Sequence, residues 1–260
     1  MPDTLAVPAG YGLNRHSEID STNEEAKRLA ASGVSGPVWI VADKQTAGRG
    51  RRGRAWTSPV GNLMCTLLLR PGCGPAQAGE LSFVAGLALY DAASLLLPDE
   101  AAIKVSLKWP NDLLIDGKKA SGILLESEST GGTEVSWLAI GIGLNLVQFP
   151  DDTPYPATSL LAESGAACSV ESALTALAAA FDKWYATWQQ PGGFNAIREA
   201  WLKRARGIGQ EITVRLSDET LVGTFEDLSD DGALQLRLLT GELQPIAAGD
   251  VFFGSSSADR

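Results

Sequence analysis

Residues 45–62 read QTAGRGRRGRAWTSPVGN, and the fold turns on how these glycines are used. Residues 48–54 hold four arginines (Arg49, Arg51, Arg52, Arg54) and three glycines (Gly48, Gly50, Gly53). GRGRRG formally satisfies the dinucleotide pattern G-x-G-x-x-G. That pattern needs a helix directly after the glycines and an acidic residue about 20 positions on, at the end of the next strand. Here Pro59 and Gly61 in RAWTSPVGN rule out the helix, and the next strand ends in Arg70. A P-loop needs Lys and Ser or Thr where Arg54 and Ala55 stand, and a kinase glycine loop needs HRD and DFG motifs that the chain lacks. The doubly wound reading fails, and an anion clamp remains. Glycines let backbone N–H groups approach a ligand closely, and guanidinium forks take carboxylate or phosphate bidentately. Four like charges with few acidic neighbours in sequence predict a loop that stays mobile until an anion orders it. Each charge-assisted hydrogen bond contributes about 1.5–3 kcal/mol to that ordering. A solvated surface loop is the alternative.

Around this loop, strand-like runs recur at 38–43 (VWIVAD), 62–70 (NLMCTLLLR), 105–109 (VSLKW), 122–129 (GILLESES) and 136–146 (SWLAIGIGLNL). Asp116-Gly117 between two apolar runs predicts a type I′ hairpin. Helical periodicity marks STNEEAKRLAAS, ELSFVAGLALYDAASLLL and ESALTALAAAFDKWYATW. In the last, Leu174, Leu177, Phe181, Trp184, Tyr185 and Trp188 recur at three- and four-residue intervals until Pro191-Gly192-Gly193 stops the helix; FNAIREAWLKRA follows. Hairpin-joined strands separated by helices predict an α+β domain with a mixed sheet over residues 1–206. After Arg206 the texture changes to short alternating strands with turns at Asp218-Glu219, Asp231-Gly232 and Thr240-Gly241. That predicts a small SH3-like β-barrel over 207–254, followed by a disordered tail at 255–260.

The net charge of −10 argues against a general nucleic-acid binder, because gripping a phosphate backbone needs a basic face. MPDTLAVPAG has no basic region followed by an apolar run, so no signal peptide is expected. SWLAIGIGLNLVQFP is too short and glycine-rich for a membrane helix, so no membrane partner is expected. Cys65, Cys73 and Cys168 are odd in number and lack CxxC spacing, which points to reduced thiols in a cytoplasmic protein. His16 is the only histidine, with neither a GxSxG nor an HExxH motif in the chain, so no His-based triad or protein metal site is expected.

Four further segments carry polar groups in ligand-like places. In KWPNDLL, Pro110 bars Trp109 from the helical region, so the strand ends and presents Asn111 and Asp112, which suit a nucleotide and its Mg²⁺ or a simple turn cap. In GKKASGILLE, Lys119 leads into a strand through Ser121 and Gly122, as if a ligand lay against that backbone. In GIGLN, Gly141 and Gly143 cost stability in an apolar strand unless something approaches closely, and Asn145 follows. In DSTNEE, Ser21 is expected to cap a helix with Glu24 closing a capping box, which leaves ligand contact at that helix N-terminus open.

Taken together and in this order, DSTN, QTAGRGRRGRAW, KWPNDLL, KKASGILLE and GIGLN resemble the biotin protein ligases, also called biotin–[acetyl-CoA-carboxylase] ligases. The resemblance implies a catalytic domain like that of class II aminoacyl-tRNA synthetases, with biotin and Mg-ATP as substrates and biotinyl-5′-AMP as intermediate. A lysine of a biotin carboxyl carrier protein would receive the biotinyl group. It implies that Ser21, Thr22 and Gln45 read the ureido ring, and that Arg49, with the backbone at Gly48 and Gly122, holds the valeryl chain and activated carboxyl. Arg51, Arg52 and Arg54 would lie on phosphates, Trp56 near the adenylate, and Asn111, Asp112 and Asn145 at the nucleotide. Lys119 would bridge the biotin carboxylate and the α-phosphate, making Lys119 and Arg49 the catalytic pair. Only 20 residues precede STN, too few for the DNA-binding domain some members carry, so a short form acting as monomer or homodimer without DNA is expected. A lipoate or octanoate ligase or transferase of similar fold is the nearest rival, and an RNA-binding module using the Gly-Arg loop a distant one.

Overall fold

A computed structural model describes residues 5–129, 131–153 and 155–253; the tail expected at 255–260 lies outside them. In chain order the elements are β1 (Gly12–His16), α1 (Thr22–Ala31), β2 (Val38–Ala42), β3 (Leu63–Leu69), α2 (Pro75–Leu96), α3 (Asp99–Ala102), β4 (Val105–Lys108), β5 (Asp112–Ile115), β6 (Lys118–Glu128) and β7 (Trp137–Leu144). There follow α4 (Leu160–Ser164), α5 (Val170–Trp188), α6 (Gly193–Leu202), β8 (Glu211–Arg215), β9 (Thr220–Leu228), β10 (Leu234–Leu238), β11 (Leu243–Ile246) and β12 (Asp250–Phe253).

The first seven strands form one mixed sheet in the order β1-β2-β3-β7-β6-β5-β4, with β1 parallel to β2 and every other pairing antiparallel. Every residue of β3 and β7 is buried, because both faces of the sheet are covered. The pleat sends alternate residues to opposite faces: Trp39, Val41, Cys65 and Leu67 join the main core with α2 and α5, whereas Ile40, Leu68 and Ala139 meet Ala26 and Ala30 of α1. Covered faces explain why these strands read as unbroken apolar runs. Helix α2 is long and apolar enough to cross a bilayer by length and composition, yet its apolar residues Leu81, Val84, Leu87 and Leu89 are buried in this core. Trp184 and Trp188 of α5 tie the two helices by donating indole N–H groups to Asp91 (2.8 Å) and Glu80 (2.6 Å). The predicted hairpin forms as expected, with Asp116 and Gly117 both left-handed (φ 50 and 76) between β5 and β6.

The last five strands make a separate antiparallel sheet in the order β11-β10-β9-β8-β12. It is seated on the larger unit by Trp109, whose indole donates to Gly232 O at 3.1 Å, and by Arg198, which reaches Asp227 at 2.7 Å. This seating brings β12 beside the Gly-Arg loop.

Candidate active site

A cavity opens where the N-terminus of α1, the Gly-Arg loop, β6, β7 and β12 converge. Its inner end is a polar network. Gln45 Oε1 accepts from the Thr22 N–H (2.8 Å) and hydroxyl (3.0 Å), and Gln45 Nε2 donates to Ser58 Oγ (2.9 Å). Thr66 Oγ1 lies 2.8 Å from Thr22 Oγ1 and 2.6 Å from Asn23 Oδ1. Asn23 Nδ2 donates to Glu126 at 2.7 Å. With both faces of Gln45 committed, the groups here are oriented before any ligand arrives, and Ser21 is 3% exposed at the rim.

The outer end is cationic. Asn111 of the strand tip donates to Ile123 O (2.6 Å), which turns its Oδ1 to accept from Arg51 Nη1 at 3.0 Å. Burial pushes the Arg51 pKa down, partly offset by Asp250 and Asp112. Lys119 Nζ lies 2.6 Å from Asp112 Oδ1 and Lys108 Nζ lies 3.7 Å from Oδ2, so one carboxylate serves two ammonium groups. Burial also pulls the Lys108 pKa down, against the pull of Asp112. The Trp56 indole lies across β6 and β7. A Cβ on Gly143 would clash with its ring at 2.3 Å, and one on Gly122 would meet it at 3.2 Å. A Cβ on Gly141 would likewise collide with Asn23. These strand glycines thus admit the protein's own Trp56 and Asn23 to the cleft.

Ser21, Thr22, Gln45, Arg49, Arg51, Arg54, Trp56, Asn111, Asp112, Lys119 and Gly122 therefore come together. Three expected residues do not line the cavity. Asn145 is 3% exposed, and its amide donates to Thr158 O at 3.0 Å, fixing the chain beyond β7. Gly48 packs beneath the loop, where a Cβ would strike Ser58 and Trp56 O. Arg52, left-handed at φ 55, turns to Asp250 at 3.2 Å.

Two local expectations are also corrected. Ser21 occupies the N-cap position but makes no side-chain cap hydrogen bond, and Glu24 reaches Arg49 Nη2 at 2.5 Å instead of closing a capping box. The arginines have few acidic neighbours in sequence, from which a loop mobile until an anion arrives was expected, yet in space Arg49 also meets Glu126 (3.1 Å), and Arg52 and Arg54 share Asp250. These acids come from α1, β6 and β12, all far from the loop in sequence. Sequence reasoning passed over Asn23, Lys108, Tyr155, Asp250 and Phe252, which also line the cavity. Lys108 had a signal, since it stands four before Asp112 across a tight turn. The β12 residues had none.

Residues 17–145 match the biotin/lipoate A/B protein ligase family and residues 207–254 the biotin protein ligase C-terminal domain. The chain is 47% identical over 243 residues to a biotin–[acetyl-CoA-carboxylase] ligase of Paracoccus denitrificans, covering 92% of this chain and 99% of that protein. Among solved structures, a biotin protein ligase of Aquifex aeolicus in complex with biotin and ATP superposes with a TM-score of 0.77 at 28% identity, over 93% of this chain and 97% of that one. A biotin protein ligase of Leishmania major in complex with biotinyl-5-AMP gives 0.65 at 26% identity, over 93% and 99%.

Proposed function

The chain belongs to the biotin/lipoate A/B protein ligase family, and from that premise we infer its reaction. It joins biotin to ATP as biotinyl-5′-AMP, releasing pyrophosphate, and passes the biotinyl group to a lysine of the biotin carboxyl carrier domain of a carboxylase. Biotin and Mg-ATP are its substrates. One observation carries the assignment of roles: a polar, preoriented pocket and a cationic cleft share one cavity, so a uncharged ring and a polyphosphate can lie end to end.

In this reading the ureido ring of biotin meets Ser21, Thr22 and Gln45, whose fixed amide and hydroxyl groups suit a ring that both donates and accepts. A lipoyl dithiolane, with no N–H or C=O, would gain no hydrogen bond from them. The carboxylate then points towards Lys119, with Arg49 above it and the backbone of Gly122 alongside. ATP takes the outer end, with Arg51 and Arg54 on phosphates and Arg52 joining them on leaving Asp250, Asn111 and Asp112 at the nucleotide and Trp56 against the adenylate. The first step brings a carboxylate against a polyphosphate, so its barrier falls when fixed positive groups sit where negative charge accumulates. Lys119 is such a group, held by Asp112 at 2.6 Å. No protein nucleophile is needed, in keeping with a single histidine at position 16. The second step needs only the carrier lysine, which attacks the mixed anhydride and expels AMP. A cytoplasmic setting is supported by the free thiols of Cys65 and Cys73.

Incubation with ATP, biotin and a purified carrier domain should add the mass of one biotinyl group to the carrier. Labelling by lipoate or octanoate in place of biotin would overturn the substrate assignment.

A further inference from the structure

We propose that Lys108 is a further catalytic residue of the first half-reaction, holding the pyrophosphate as it leaves ATP, in a cage that the C-terminal sheet completes. The proposal rests on the adenylate-forming reaction inferred above. Lys108 ends β4, and its side chain is only 13% exposed. Its ammonium lies 5.7 Å from the centre of the Tyr155 ring and 5.7 Å from that of Phe252 on β12. Aromatic faces attract a cation but do not neutralise it. The carboxylate within ion-pair reach, Asp112, is 3.7 Å away and is engaged at 2.6 Å by Lys119 on its other oxygen. A buried ammonium without a full counter-charge is costly unless an anion completes the site.

The cavity as a whole has the same imbalance. Arg49, Arg51, Arg54, Lys108 and Lys119 line it; Glu24 and Glu126 pair with Arg49, which leaves Asp112 and Asp250 to serve the other four, among the described residues. Clefts with a surplus of one sign concentrate ligands of the other.

The order of contacts says which part of the anion meets Lys108. Gln45 touches Ser58 beside Trp56 at the inner end. Trp56 faces Lys119, Lys119 shares Tyr155 and Asp112 with Lys108, and Lys108 faces Phe252 at the outer end. If Lys119 marks the junction of carboxylate and α-phosphate, Lys108 lies beyond it, on the leaving-group side. In the reaction an oxygen of the biotin carboxylate attacks the α-phosphorus. The bond from that phosphorus to the α,β-bridging oxygen breaks, and its electron pair departs with pyrophosphate; no proton has to move. Charge therefore builds on the bridging oxygen, where an ammonium stabilises the transition state more than the ground state.

The test uses the full chain. Lys108→Met keeps the apolar stem that packs between the two rings and removes the charge. Pyrophosphorolysis of supplied biotinyl-5′-AMP reads the pyrophosphate site directly, and transfer from supplied biotinyl-5′-AMP to the carrier domain reads the half-reaction in which pyrophosphate has no part. Expected are a rise of at least about tenfold in the KM for pyrophosphate and a fall on the order of 10²-fold in adenylate formation, with transfer unchanged within about twofold. Phe252→Leu should shift the KM for pyrophosphate in the same direction and by less. Unchanged pyrophosphorolysis, or equal losses in both half-reactions, would overturn the assignment to Lys108 alone. A wild-type chain that makes no biotinyl-5′-AMP would instead overturn the reaction on which it rests.

Discussion

Replacing Asp250 by Asn tests how the loop is held before substrate binds. Asp250 receives Arg52 at 3.2 Å and Arg54 at 2.5 Å, and so ties the Gly-Arg loop to the C-terminal sheet. The two arginines are 38% and 46% exposed, so these are largely solvated ion pairs. Such pairs are worth about 0.2–1 kcal/mol each, so Asp250 restrains the loop by up to about 2 kcal/mol. Phosphates recruiting the same guanidinium groups must first displace it. At about 1.4 kcal/mol per tenfold in affinity, Asp250→Asn should tighten ATP binding by up to about 30-fold. The amide still fills the space and β12 keeps its register with β8, so the melting temperature should hardly move. Amide hydrogen exchange at residues 50–54 should quicken in the ligand-free protein and fall back to the wild-type rate with ATP. Calorimetric titration with a non-hydrolysable ATP analogue measures the affinity. Weaker ATP binding in Asp250→Asn would refute competition and make Asp250 a support of the nucleotide site.

Other changes separate the roles of neighbouring groups. Lys119→Ala should slow pyrophosphate release in a single turnover by on the order of 10²-fold or more while biotin affinity falls less, and Lys119→Arg should rescue only in part because a planar fork replaces a compact charge. Arg49→Ala should let the adenylate escape, so that bystander lysines on an added protein such as albumin are labelled relative to the carrier; strict carrier specificity with normal adenylate synthesis would move retention to another residue. Gly143→Ala drives a methyl into the Trp56 ring. Since that ring belongs to a loop that can yield, the fold should lose towards the low end of the 1–3 kcal/mol usual for overpacking, read by urea denaturation, with a larger proportional loss of adenylate retention.

The parts of the molecule legible in sequence are those set by short-range chemistry. The β5–β6 hairpin follows from Asp116-Gly117, two residues able to take positive φ side by side. Helix α5 follows from Leu174, Leu177 and Phe181, all fully buried at helical spacing. Rejection of a dinucleotide fold follows from Pro59 and Gly61 after the arginines, and a short turn at Arg51–Gly53 stands where the helix would have been. What stayed illegible depends on long-range placement. Nothing near residue 49 announces Glu126, 77 positions on, and nothing near Arg52 announces Asp250, 198 positions on. The capping box did not form because the Ser21 N–H that Glu24 would have accepted goes to Asp20 Oδ1 at 2.7 Å, and Glu24 instead meets an arginine that only tertiary structure brings within 2.5 Å. Asn145 misled because a polar residue after an apolar glycine-bearing strand looks the same in sequence whether it faces a ligand or ties down the next turn, as it does at Thr158.

These distant acids resolve a conflict built into the chemistry. A site that joins two anions without a nucleophile has to be strongly cationic before they arrive, since charges that must be gathered during the reaction give up the advantage of preorganisation. Crowded cations unfold their own loop unless something offsets them. Here Glu24, Glu126 and Asp250 do so from three elements, each through contacts open enough to solvent to be exchanged. The buried contacts are kept for groups that must not move: Gln45 under Thr22, Asn111 under Arg51, and Asp112 between Lys108 and Lys119. The exchangeable pairs hold Arg49, Arg52 and Arg54 of the loop, and the fixed ones hold Arg51 and the groups on the sheet and the helix start that keep the reacting atoms in line. Loop residues should therefore show their effects in binding and retention of the adenylate, and sheet residues in the rate of its formation.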